Sequence, residues 1–342
     1  MLRKSVAFCF AVVCVSAALS NAALAQYQRT NLDSNQVKWA KFDDPLQVNG
    51  WGLARSPGSP WWVSDQGSGW STLYDGAGNK QGLVVSIPPA AKGFVGQPTG
   101  MVFNGSKEFQ IQGSPAVFIF DTLDGTISAW SFAVNVKSAI VMADNSANGA
   151  VYTALAITNL PSGNSLFAVD NANNKIDIYD GTFTWKGSFA ADPDVPSGMS
   201  AFGIRDINGV VWVAWAPADG SAGGYVDLYK EDGTLIGPFT KDWHLNQPWG
   251  FAVAPSNFGK LSGALLISNN NDEGTIVAYD WKGNFIDYVR DTHGRRIIID
   301  QLWAIDFGGG NQNSGETNAL YFTAGPANNL AGIFGVIVPG RK

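Results

Sequence analysis

The residues of this chain best suited to chemistry are oxygen-bearing side chains at the ends of short apolar runs. Asn49, Asp65, Asp121, Asp170, Asn269 and Asp300 offer hard oxygen donors of the kind that bind Ca²⁺ or Mg²⁺. The competing role for Asp and Asn at such places is to cap strand ends and form Asx turns. Two local runs, DNSANG from Asp144 and NNNDEG from Asn269, set oxygens at alternate positions before a glycine, as calcium loops do. Their twelfth positions hold Leu155 and Asp280, the latter inside a strand pattern, so neither completes such a loop. The chain has two histidines, His244 and His293. Histidine suits proton transfer near neutral pH, so the pair is a candidate acid–base couple. No G-x-S-x-G or H-E-x-x-H motif accompanies them, and an ordinary surface position is the alternative. Trp70, with Gln66 in the same Gly/Ser-rich loop, is a candidate platform for a ring-bearing ligand, and Trp249 is a second. Trp51, Trp249 and Trp303 share one position in a repeat, so packing between repeats competes as their explanation.

Composition narrows what these residues can serve. Arg3 and Lys4, an apolar run over 6–19 and Ala23-Leu24-Ala25 form an export signal over residues 1–25, with cleavage expected before Gln26. The expected product, 26–342, is a single secreted or periplasmic domain. Both cysteines, Cys9 and Cys14, fall in the leader. Thiolate catalysis, Cys-bound zinc and disulfides are therefore excluded from the remainder, whose stability must come from a large core. The net charge is −6, more acidic once the leader is removed, and no basic run occurs. That disfavours nucleic acid. No second apolar span follows the leader. An extracellular small molecule, glycan or protein is the expected partner.

The elements that must position the candidate residues come from a repeat. Trp51-Gly52-Leu53 aligns with Thr99-Gly100-Met101, Thr153-Ala154-Leu155, Phe202-Gly203-Ile204, Trp249-Gly250-Phe251 and Trp303-Ala304-Ile305, at intervals of about 50 residues. Each unit reads as four short strands of β-branched and aromatic residues bounded by Gly, Asn, Asp and Pro. Turns such as Asp75-Gly76, Asp180-Gly181 and Asp232-Gly233 join the third strand to the fourth. Six four-stranded antiparallel units describe an all-β, six-bladed β-propeller; a pair of β-sandwiches is the alternative. The last unit lacks a fourth strand, and residues 27–32 (YQRTNL) are expected to supply it and close the ring. Strand alternation then places the loops between blades, and those between second and third strands, on one face. All the candidate residues lie in or beside these loops, so ligands are expected there.

Taken together, GWGLARSPGSPWWVSDQGSGWSTLYDG, QPTGMVFN, DGTISAW, DNSANGAVYTALAI, QPWGFAVAP and LWAIDFGGG resemble an uncharacterised family of secreted bacterial propellers, some of whose members carry a PEP-CTERM sorting tail. The resemblance implies export and a propeller fold, and no reaction. After Val338 this chain has only PGRK, a departure from the tailed members. More distantly the units resemble NHL-type and lactonase-type propellers, an analogy of fold. The expectation is a binding propeller without catalysis. The alternative is a lactonase-like hydrolase or lyase dependent on Ca²⁺ or Mg²⁺.

Overall fold

A computed structural model describes residues 26–340 except 92, 159, 161, 162, 190 and 191; the expected leader lies outside the described residues. Six antiparallel sheets are arranged as a β-propeller. From the axis outward, blade 1 is Gly50–Ala54, Trp61–Asp65, Trp70–Tyr74 and Lys80–Ser86. The inner strands of blades 2 to 6 are Pro98–Phe103, Tyr152–Ile157, Met199–Ile207, Pro248–Val253 and Leu302–Phe307. Each inner strand neighbours the next, and the sixth neighbours the first.

The ring closes as the sequence implies. Tyr27–Ser34 pairs antiparallel with Ile333–Pro339 as the fourth strand of blade 6. The Tyr27 hydroxyl donates to the Phe258 carbonyl (2.8 Å) and accepts from the Leu261 amide (3.0 Å), so the latch also grips blade 5. Two small features were not foreseen: a fifth, parallel strand Phe42–Asp43 on blade 6, and a hairpin of Gln110–Ile111 with Ser114–Pro115.

The repeated aromatic–glycine pair has a specific physical role. In every blade the register between the first and second strands slips at this position of the repeat, which holds Thr-Gly in blade 2, Thr-Ala in blade 3, Trp-Ala in blade 6 and an aromatic–glycine pair in the others. Such a bulge turns the backbone toward its neighbour. A Cβ on Gly52 would lie 2.3 Å from the Thr99 carbonyl oxygen of blade 2, and one on Gly203 would lie 2.0 Å from the Trp249 carbonyl oxygen of blade 5. Glycine here sets how closely inner strands approach. Hydroxyls then tie blade to blade. Thr99 Oγ1 donates to the Tyr152 carbonyl (2.8 Å), Thr153 Oγ1 to Phe202 (2.9 Å), Ser268 Oγ to Trp303 (2.6 Å) and Thr323 Oγ1 to Trp51 (2.6 Å).

Farther out, aromatic rings fill the wedges between blades. Trp62 stacks on Phe118, Phe189 packs on Tyr229, and Tyr74 stacks on Phe334. A Gly203→Ala variant is expected to lose about 3 kcal/mol in urea unfolding, the scale of core overpacking. Ala304→Gly, at the equivalent position, should lose about 1 kcal/mol or less. Equal losses would remove the close-approach role of the glycine.

Candidate functional site

The bulges send the repeat's aromatic side chains across the axis. Trp51 and Trp303 stack with centroids 3.5 Å apart, and Trp249 and Phe202 meet Trp303 at 5.9 and 5.8 Å. The Trp249 Nε1 donates across the ring to the Thr153 carbonyl (3.2 Å), and the Trp303 Nε1 donates to Asn49 Oδ1 (2.9 Å). All three indoles are buried. They fill the end of the channel nearest the loops where ligands were expected.

Beyond this plug lies a central cavity of roughly 280 Å³, lined by the inner strands of all six blades. Gly52, Met101, Leu155 and Phe251 are among the residues of its wall, which exposes both polar and apolar atoms. It reaches the opposite face, where the inner strands end in Arg55, Arg205 and Asp306. Arg205 lies across this end. Its Nη1 donates to the Phe251 carbonyl of blade 5 (2.8 Å), and its Nη2 is 3.0 Å from Asp306 Oδ2 of blade 6. Arg55 sits over the Trp61 ring, and its Nε (3.2 Å) and Nη2 (3.1 Å) both donate to the Phe307 carbonyl. Among the described residues no carboxylate forms an ion pair with Arg55. The lining thus carries two guanidiniums and two carboxylates, Asp206 and Asp306; Asp306 pairs with Arg205, and Arg55 is the guanidinium without a carboxylate partner among the described residues.

The candidate residues from the sequence have diverse surroundings. Asp65 accepts from the Thr72 amide (3.0 Å) and hydroxyl (2.7 Å) of its own blade, and Asp121 Oδ1 lies 2.7 Å from Thr99 Oγ1 of its own. Asp170 accepts from the Val151 amide (3.2 Å) and Asn173 Nδ2 (2.7 Å), with Lys175 at 3.5 Å. Asn269 holds the blade-5 entry loop through the Asn246 amide (2.9 Å) and the His244 carbonyl (2.8 Å). Asp300 accepts from the Ala327 amide (3.0 Å). Asn49 and Gln66 are brought together: Asn49 Nδ2 donates to Gln66 Oε1 (2.7 Å), and Gln66 Nε2 to Gln97 Oε1 (3.2 Å). Trp249 roofs the cavity, while half-buried Trp70 pairs with Asp65 and Ser86 in blade 1.

Each histidine is matched with an aspartate of its own loop. His244 contacts Asp242 and lies between Trp243 (3.7 Å) and Phe285 (3.6 Å). His293 is exposed, 3.8 Å from Asp291. Among the described residues no hydrogen bond joins the two histidines, and no three His, Asp or Glu side chains are grouped to share a metal ion. The sequence reading missed Arg55 and Arg205. Their signal is a lone cation at the far end of an apolar inner strand, in GWGLAR and AFGIR.

Several carboxyls are buried without enough donors to stay charged comfortably. Burial pushes Asp121 up to about 7 and, with Asp44 nearby, Asp33 also to about 7. Burial and then Asp192 push Asp227 to about 7, and burial raises Asp65 well above the ordinary range. An acid whose folded value is raised holds its proton after the unfolded chain has released it, so stability falls as pH rises through that window. Each such group costs ~1.4 kcal/mol per pH unit between about 4 and 7. Melting temperature is expected to drop from pH 5 to pH 7.5. Asp121→Asn should flatten part of that slope; an unchanged slope would show that Asp121 does not contribute to it.

With this geometry in place, the chain can be set beside known proteins. No family model matches it. It is similar to an uncharacterized protein of Acanthamoeba polyphaga mimivirus, 32% identical over 205 residues, which are 56% of this chain and 38% of that protein. The chain thus spans well under half the length of that relative. A second uncharacterized mimivirus protein is 26% identical over 336 residues, 92% of this chain and 81% of that protein. These viral relatives lend no support to the bacterial origin or the PEP-CTERM tail that the sequence resemblance implied. Among solved structures, a Bacteroides thetaiotaomicron protein of unknown function matches with TM-score 0.55 and 14% identity, over 91% of this chain and 76% of that one. A luciferin-regenerating enzyme matches with TM-score 0.51 and 11% identity, over 86% and 94%. A streptogramin B lyase matches with TM-score 0.50 and 11% identity, over 93% and 98%. At these identities the likeness is one of fold alone.

Proposed function

We propose that this propeller is an exported binding protein that takes a small molecule bearing a carboxylate or phosphate at the mouth of its central cavity. The observation that carries the reading is the Arg55 guanidinium at that mouth, which no carboxylate pairs with among the described residues. A guanidinium has five donors in a fixed fork that matches carboxylate and phosphate oxygens. Arg55 directs two of its nitrogens at a single carbonyl. The rival reading, a metal-dependent hydrolase or lyase, depends on Asp65, Asp121 and Asp170, and each of these contacts polar groups of its own blade. Export rests on the leader pattern and is part of the same proposal.

The test is a thermal-shift series with phosphate, citrate, gluconate and glucose 6-phosphate, on wild type and Arg55→Gln. A ligand at roughly 100-fold its Kd adds about 2.7 kcal/mol. At least one anion should raise the wild-type melting temperature and fail to raise that of the variant. No shift with any of them, or equal shifts in both proteins, would discard the reading. Metal analysis of the same preparation tests the rival.

A further inference from the structure

A second site lies away from the axis, in a cleft of roughly 400 Å³ between blades 2 and 3. One wall is the turn Ser146–Asn148, which leads from blade 2 into blade 3. The other is built by Asp170, Asn173 and Lys175, from the hairpin between the second and third strands of blade 3, and by Trp185, which opens its outer strand Trp185–Phe189. Trp185 is 53% exposed. Other exposed tryptophans, such as Trp243 and Trp281, do not line this cleft.

The Trp185 ring is held in place. Its Nε1 donates to Asp177 Oδ1 (3.1 Å), and Asp177 is fully buried. The same carboxylate accepts from Lys175 Nζ (2.5 Å) and, through Oδ2, from the Tyr152 hydroxyl (2.9 Å). Tyr152 is 2.8 Å from the Tyr179 hydroxyl, and Asn145 Nδ2 donates to both tyrosines. A buried polar network thus fixes an indole whose face stays open, so little ordering remains to be done on binding.

The charge of the cleft selects the ligand class. Lys175 is the cation among the lining residues and faces two carboxylates, Asp170 at 3.5 Å and Asp177 at 2.5 Å. An anion would meet a net negative charge. The exposed Asn148 and Asn173 carry amide donors and acceptors side by side. An apolar ring face flanked by mixed donors and acceptors matches a pyranose, whose C–H face is apolar and whose rim carries hydroxyls.

We infer that the Trp185 cleft binds a neutral saccharide, by stacking on the indole and hydrogen bonding to Asn148 and Asn173. This site is separate from the central cavity, so its fate does not depend on the anion reading.

The experiment is saturation-transfer NMR on the intact protein with the methyl glycosides of glucose, galactose and mannose and with N-acetylglucosamine. Wild type, Trp185→Ala, Trp185→Phe and Asn173→Ala are compared, with melting temperatures to confirm folding. At least one saccharide should bind wild type, roughly tenfold or more weakly to Trp185→Ala, and with much of the affinity restored in Trp185→Phe. Asn173→Ala, a change at an exposed side chain, should also weaken binding, and it carries the test if Trp185→Ala fails to fold. No binding by any of the four probes, or binding that these variants leave unchanged, would overturn the assignment.

Discussion

How closely neighbouring inner strands can approach is the constraint on which this molecule depends. Six sheets meet around one axis, and at the meeting point a single methyl group is too large in some gaps. Gly52 and Gly203 leave room for the carbonyls of the next blade, while blades 3 and 6 place alanine, Ala154 and Ala304, at the equivalent position. The bulge at the same place releases backbone groups from the ladder. Side-chain hydroxyls collect some of them: Ser268 accepts from the Gly250 amide and donates to Trp303, and Thr323 does the same between Ala304 and Trp51. Close approach, the bulge and the hydroxyl bridge form one arrangement.

That arrangement also decides where ligands have access. An aromatic residue just before the small residue is thrown across the axis, so Trp51, Trp249 and Trp303 block the channel near one face. The cavity is left to the other face, where inner strands end in charged residues. The same indoles that stabilise the ring by burial therefore give the channel a direction. Among the described residues no helix is long and apolar enough to cross a membrane.

Much of the architecture was legible because it is periodic. The recurrence of Trp-Gly and its weaker forms located all six inner strands, and the missing fourth strand of the last unit pointed to residues 27–32. The site was less legible, for a physical reason. Alternation says which end of a blade a residue occupies, but not whether its side chain turns outward or back into the sheet. Asp65 and Asp121 stand at the expected end and are fully buried, held by Thr72 and Thr99. Whether an indole packs or stacks on a ligand depends on three-dimensional neighbours. Trp249 meets a residue of blade 3, and Trp185, which has no counterpart in the repeat, stays open. Arg55 and Arg205 escaped the sequence reading because each acts with residues of other blades.

The pairing of Tyr27–Ser34 with Ile333–Pro339 has a consequence in time as well as in space. The first strand of the domain to be made is the partner of the last. At ~5–20 residues per second, synthesis of the intervening chain takes on the order of tens of seconds, and throughout it the first strand has only the two-residue strand Phe42–Asp43 as a native neighbour in its own sheet. A contact of such long sequence separation forms slowly even once both ends exist. Blades 1 to 5 contain all four of their strands in continuous sequence and can assemble as they emerge. The domain therefore has a built-in last step, and a chain that has not reached it presents an open sheet edge that the finished ring covers.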